Sequence, residues 1–179
     1  MMMAELIHTV RPDVIVETGT AHGGTAVFYA SMLELLGKGK VISIDVSIPN
    51  REAIAAHPMG KRIVLLQGDS VGMVDQVRSF VSPGDVVIVA LDSDHSCDHV
   101  LAELEAYSSF VGQGSYIVAF DGVMKILADV HGGSHSWLYD SPAAAIEQFL
   151  AYHREFEIDE HYNRLGITYC PKGFLRRVA

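Results

Sequence analysis

Val14-Ile15-Val16-Glu17-Thr18-Gly19-Thr20-Ala21-His22-Gly23-Gly24-Thr25 is the stretch on which the reading of this chain turns. An apolar run, Val14 to Val16, reaches an acidic residue, then a glycine-rich turn, then Thr25 at the head of a helical pattern. That order spells strand, tight loop, helix N-terminus. Gly19, Gly23 and Gly24 carry no Cβ, so the turn is free to adopt positive φ and to let a ligand approach the backbone. The free N–H groups of the following helix favour a carboxylate or another anionic group.

Spacing separates the candidate ligands. A dinucleotide fingerprint needs G-x-G-x-x-G, whose second glycine lets a pyrophosphate approach. Here the run is G-T-A-H-G-G, with Ala21 at the second glycine's place and Glu17 ahead of the loop. An acidic strand end followed by G-x-x-x-G resembles motif I of the S-adenosylmethionine (SAM) dependent methyltransferases. In that superfamily the loop wraps the methionine and ribose part of the cofactor.

Working outward, the 179 residues suit one domain, 1–179, with 49% hydrophobic residues for a well-buried sheet. Lysine and arginine number 13 against 22 acidic residues, a formal charge of −9. That balance argues against a nucleic-acid surface and for a small molecule or a protein as partner. Cys97 and Cys170 imply no disulfide framework. The start, Met1 to Ile7, lacks the regions of a signal peptide, and no stretch approaches the ~20 apolar residues of a membrane span. The expectation is a cytoplasmic protein with no membrane contact.

Lys40–Asp45, Arg62–Gln67, Val86–Leu91 and Ser115–Phe120 read as further buried strands. Helical patterns separate them: Thr25, as N-cap, to Leu36, with Phe28, Met32, Leu35 and Leu36 on one face; Arg51 to Ala56; a segment to about Phe80; and Ser96 to Tyr107. Near-continuous apolar strands alternating with helices imply a parallel sheet covered on both faces. Residues 121–141 break the pattern, and a loop of about 20 residues is usually a lid or a substrate wall. Pro142 opens a helix to about Tyr152. Phe156–Asp159 and Gly166–Cys170 are expected to close the sheet as an antiparallel pair.

Ligands of open α/β sheets bind beyond the carboxyl ends of the strands, where this sequence sets Glu17, Asp45, Asp69, Asp92 with Asp94 and His95, and Asp121. Asp45 suits both ribose hydroxyls of an adenosine cofactor, or a cap. Asp69-Ser70 suits adenine, or Asp69 is a plain N-cap. Asp92 and Asp121 offer two hard oxygens that suit Mg²⁺, or they too are caps. His95 enters the next helix within reach of a substrate hydroxyl. His95 and His99, four apart, could instead make a zinc pair, though without the H-E-x-x-H glutamate a solvated face fits better.

The Glu17–Thr25 run, Asp92-Ser93-Asp94-His95-Ser96 with His99-Val100, and the ending Cys170-Pro171-Lys172-Gly173-Phe174-Leu175 together resemble the cephalosporin hydroxylase family, which includes rhamnosyl and macrolide-sugar O-methyltransferases. The resemblance runs from Val14 to Arg177. It implies a Rossmann-like class I methyltransferase fold: a mainly parallel, doubly wound sheet of about seven strands with an antiparallel C-terminal pair. It implies SAM bound by Glu17, Gly19, Thr20, Gly23, Thr25, Asp45, Asp69, Ser70 and Asp92, Mg²⁺ on Asp92 and Asp121, and His95 as general base toward a hydroxyl of a sugar or natural product. Relatives pair Glu with Asp after the fifth strand, whereas this chain has Phe120-Asp121. Asp94 or water then fills the gap, or the metal site is weakened, or activity is lost. The resemblance also implies a homo-oligomer, although relatives build theirs with an extension ahead of the first strand that this sequence lacks. Two rival readings stay open. One is a non-catalytic SAM-binding or assembly protein. The other, resting on Gly19 and Asp45, is a nicotinamide oxidoreductase.

Overall fold

The computed structural model describes residues 2–166 and 168–179. These form a seven-stranded sheet of β1 (Val14–Thr18), β2 (Lys40–Asp45), β3 (Ile63–Gln67), β4 (Val87–Leu91), β5 (Tyr116–Ala119), β6 (Phe156–Ile158) and β7 (Phe174–Arg177), in the order β3-β2-β1-β4-β5-β7-β6. The chain divides into two compact units, Met1–Val89 and Ala90–Ala179.

In the first unit, helix α1 (Met2–Val10) buries Met3, Leu6 and Ile7, the i, i+3, i+4 stripe of an amphipathic helix. It stops at Arg11, whose φ of 52° and following Pro12 cannot continue it. Strands β1 (Val14–Thr18), β2 (Lys40–Asp45) and β3 (Ile63–Gln67) run parallel, with Glu17 opposite Ser43 and Asp45 opposite Gln67. All five residues of β1 are buried, as a strand covered on both faces requires. Helix α2 (Gly24–Leu36) follows β1, α3 (Arg51–Ala56) follows β2, and α4 (Val74–Arg78) follows β3.

Helix α2 corrects two expectations. Gly23 occupies its N-cap, and Thr25 lies inside the first turn. Its core face is Ala26, Tyr29, Ala30 and Leu33, while Phe28 is 40% and Leu35 82% exposed. Two alanines let the helix lie close to its neighbours, and the larger side chains at Phe28 and Leu35 turn outward.

The second unit takes up the end of β4 (Val87–Leu91), then α5 (Cys97–Ser108), β5 (Tyr116–Ala119), α6 (Pro142–Tyr152), β6 (Phe156–Ile158) and β7 (Phe174–Arg177). Pro142 stands at the start of α6, where its missing N–H is harmless. Residues 121–141 contain two short 3₁₀ turns, Gly122–Lys125 and His135–Leu138, and Lys125 Nζ bonds Glu147 of α6 at 2.8 Å. The closing pair differs from expectation. Phe156–Ile158 pairs with Phe174–Arg177, which also pairs antiparallel with β5. Of the segment 166–170 expected as its partner, Ile167 lies outside the described residues and the others form no strand. Pro171 lacks an N–H and Lys172 sits at φ 60°, so the chain turns before it can extend. Gly173 then passes so close to β5 that a Cβ would lie 2.2 Å from the Ala119 carbonyl oxygen.

At the end of α6, His153 is held from both sides. Its Nδ1 lies 2.9 Å from Glu155 Oε1 and its Nε2 2.9 Å from Glu105 Oε2, with the ring stacked 4.0 Å from that of Phe149. Burial opposes charge on His153, but the hydrogen bonds to Glu155 and Glu105 outweigh it and raise its pKa above the ordinary 6.5. A raised folded-state pKa contributes stability that is full below the ordinary imidazole value and is lost as pH rises through the raised one. Thermal unfolding between about pH 5.5 and pH 9 should therefore show the wild type losing stability relative to His153→Gln. Glu105 is half exposed, so solvent screening keeps the change within about 1 kcal/mol. Parallel pH profiles would remove the carboxylates as the cause.

Candidate functional site

Within the first unit, the β1–α2 loop is shaped by left-handed residues: Gly19 at φ 89°, Ala21 at 44° and Gly23 at 84°. Gly19 N–H bonds the Ile44 carbonyl at 2.8 Å and Gly23 N–H that of Thr20 at 2.7 Å. A side chain at Gly23 would be strained at that φ, and its Cβ would meet Ile54 Cδ1 at 2.3 Å. Under the loop runs a buried chain of polar side chains. Ser43 Oγ donates to Glu17 Oε2 at 2.5 Å, so the 2.7 Å bond between Thr20 Oγ1 and Ser43 Oγ has Thr20 as donor. Glu17, Thr20 and Ser43 are each no more than 1% exposed. Glu17 and Thr20, both singled out from sequence, thus hold the loop on β2 from below.

Asp45 faces the loop from the end of β2. Its Oδ2 accepts the Ala21 N–H at 2.7 Å and its Oδ1 the Ser47 N–H at 3.0 Å. An ionised carboxylate has about four lone-pair sites, so two remain for a ligand's hydroxyls. This donor set and open-backed loop fit a ribose-bearing cofactor. Asp69 closes its own turn by accepting the Gly72 N–H at 2.7 Å, although the N-cap of α4 is Met73, and Ser70 is buried beside it. A cleft of about 270 Å³ lies along the loop and the start of α2, bordered by His22, Gly23, Gly24, Val27 and Asn50.

The second unit gathers Asp92, His95 and Asp121. His95 Nε2 lies 3.4 Å from Asp92 Oδ1 and 3.2 Å from Asp121 Oδ2, and one ligand atom from each of the three falls within 4.8 Å of the others. Asp92 follows β4. Asp121 follows β5 in a left-handed conformation, φ 53°, which aspartate tolerates better than most residues. All three side chains are about a third exposed. The hydrogen bond to Asp92 raises the His95 pKa against the opposing effect of burial, and the charges of Asp121, Asp92 and Asp94 add to it. Burial pushes the Asp121 carboxyl up; His95 opposes this and the Asp92 charge reinforces it. Beneath them the Cys170 thiol is pushed up to about 12, by burial first and then by Asp121 and Asp92. Two carboxylates that repel one another across a narrow gap, with an imidazole beside them, fit a divalent cation.

Three expectations resolve here. Asp94 lies outside the group of ligand atoms that converge; its Oδ1 accepts the Ser96 N–H at 2.8 Å. His99 does not join His95, since its Nε2 turns to Glu103 Oε1 at 3.3 Å. Among the described residues Asp92, His95 and Asp121 form the metal-competent cluster. Sequence reading overlooked Ser43 and Glu103. Their signal was present: each is a polar residue within an otherwise buried apolar pattern.

Comparison with known proteins adds the following. The Rhamnosyl O-methyltransferase/CmcI family profile matches residues 1–178. The rhamnosyl O-methyltransferase of Mycobacterium leprae (strain TN) is 30% identical over 183 residues, covering 97% of this chain and 75% of that protein. Its counterpart from Mycobacterium tuberculosis (strain ATCC 25618 / H37Rv) is 29% identical over 181 residues, with 97% and 70% covered. A solved CmcI structure with Mg and SAM superposes with a TM-score of 0.68 at 19% identity, covering 99% of this chain and 70% of that one. That likeness establishes a shared fold. No helix among the described residues is long and apolar enough to cross a membrane.

Proposed function

The chain belongs to the Rhamnosyl O-methyltransferase/CmcI family of SAM-dependent O-methyltransferases, and from that premise we propose that it methylates a hydroxyl of a sugar or other natural-product small molecule with the help of Mg²⁺. The observation that carries this reading is the Asp92–His95–Asp121 cluster. A hydroxyl is a poor nucleophile at neutral pH, so an O-methyltransferase must take its proton and align its oxygen. His95 is the base in this assignment. The neutral ring accepts the hydroxyl proton, and the carboxylates of Asp92 and Asp121, 3.4 and 3.2 Å from Nε2, stabilise the resulting imidazolium. The same two carboxylates are the residues that would hold Mg²⁺, whose Lewis acidity lowers the pKa of an acceptor hydroxyl.

The cofactor is assigned to the first unit. Asp45 binds the ribose hydroxyls, the Gly19–Gly23 turn lies along the methionine part, and Ser70 borders the adenine. The buried Thr20–Ser43–Glu17 chain fixes the turn, and Glu17 and Thr20 stay assigned to the cofactor loop. Cys97 and Cys170, both buried as free thiols, suit a reducing cytoplasm. A homo-oligomer is part of the proposal on family grounds alone.

The test is calorimetric titration of the wild type with S-adenosylhomocysteine, with and without Mg²⁺. The expected result is cofactor binding in both conditions, together with heat from Mg²⁺ itself. Cofactor binding with no Mg²⁺ heat and no Mg²⁺-dependent methyl transfer would instead favour a metal-independent binding protein. That alternative draws on Phe120 and on the engagement of Asp94 by Ser96. An absence of cofactor heat would remove the assignment of the loop.

A further inference from the structure

Helix α5 turns Val100, Glu103, Leu104 and Tyr107 inward, and the charged member of that stripe, Glu103, has no exposed surface. A carboxylate in a core position is costly unless its oxygens are bonded, and a packed leucine would hold the helix at least as well. Its bonding therefore shows what it is for. Glu103 Oε1 accepts the Ser93 hydroxyl at 2.7 Å, and His99 Nε2 lies 3.3 Å from the same oxygen. Ser93 stands in the loop between β4 and α5, flanked by Asp92 and Asp94 and just ahead of His95. Where that loop enters α5, the Cys97 N–H donates to Asp140 Oδ1 at 2.8 Å. The loop is thus fastened at its middle and at its far end.

We infer that Glu103 is a positioning residue which, by holding the Ser93 hydroxyl, sets Asp92 and His95 in place against Asp121. The inference rests on the reading of those three as the metal and base site. Outer partners of ligating groups typically control about 10–100-fold in metal affinity; Glu103 acts one step further out, through the Ser93 hydroxyl and the peptide link from Ser93 to Asp92. The polar side chain is kept at a core position because the loop above it must not shift.

The test uses Ser93→Ala, Glu103→Leu and their combination, with Glu103→Gln as the conservative control, all in the full chain. Two readouts are taken: the Mg²⁺ dissociation constant by calorimetry, and the ¹H–¹³C signal of the His95 ring by NMR in the metal-free protein. Each single variant should weaken Mg²⁺ about tenfold and move the His95 signal. The double variant should do no worse than either single, because both break one contact. Glu103→Gln keeps an oxygen for the Ser93 hydroxyl and should restore most of both values. Folded Ser93→Ala and Glu103→Leu proteins with wild-type Mg²⁺ affinity and an unmoved His95 signal would overturn the inference. If the wild type itself draws no Mg²⁺ heat, the metal reading fails, and the His95 signal alone decides the tether in the same two directions. Should Glu103→Leu not fold, Ser93→Ala, a change in a half-buried loop residue, decides between the two outcomes.

Discussion

Replacing His95 by alanine should lower turnover about 10²–10⁴-fold and leave the affinity for S-adenosylhomocysteine nearly unchanged. The size follows from what is removed. His95 is the one imidazole in the cluster, and the two carboxylates beside it are assigned to the cation. The selectivity follows from where the cofactor assignment lies, on Asp45 and the Gly19–Gly23 turn in the first unit. Steady-state kinetics with a sugar or phenolic acceptor, read beside calorimetry, checks both halves. Unchanged turnover would take His95 out of the reaction. Lost cofactor affinity would make it a binding residue instead.

Asp92→Ala should have the second largest effect: no heat on adding Mg²⁺, and turnover down by about 10²-fold or more. Asp92 serves two ends at once in the proposed site. It offers a hard oxygen to the cation, and its hydrogen bond is the largest influence holding a proton on His95. Asp92→Asn separates these duties, keeping an oxygen of the same reach without its charge. Excess Mg²⁺ should partly restore the Asp92→Asn variant and leave the Asp92→Ala variant inactive. An undiminished Mg²⁺ response in Asp92→Ala would mean that the cation is held elsewhere.

The architecture was legible because buried parallel strands must be apolar runs, and each ended in a polar residue that the eye could find. Asp92, His95 and Asp121 were singled out in that way and lie together. What stayed hidden depended on contacts across the chain. Phe28 and Leu35 outrank Ala26 and Ala30 in hydrophobicity, yet close packing places the alanines inside. Ser43 and Glu103 find their partners 26 and 10 residues away, at distances no local pattern reports. Asp94 looked as available as Asp92, but it turns to the Ser96 N–H two residues on and lies outside the converging group. The final strand was misplaced because Thr168 to Cys170 carry reasonable strand residues, while the backbone turn at Pro171-Lys172 that rules them out is a matter of φ rather than hydropathy.

The strand order β5-β7-β6 also sets a schedule. A ribosome makes β6 before β7, and in the finished sheet β6 pairs with β7 on the side facing β5. Until residues 174–177 emerge, the nascent chain carries two strands whose facing edges are both unpaired, and each is a template for a wrong partner. Insertion of β7 is then a late, long-range event rather than a hairpin zipped from a tight turn, and such pairings form slowly. The passage of Gly173 against Ala119 becomes a gate on that event: it is where the arriving strand must slip closest to one already in place.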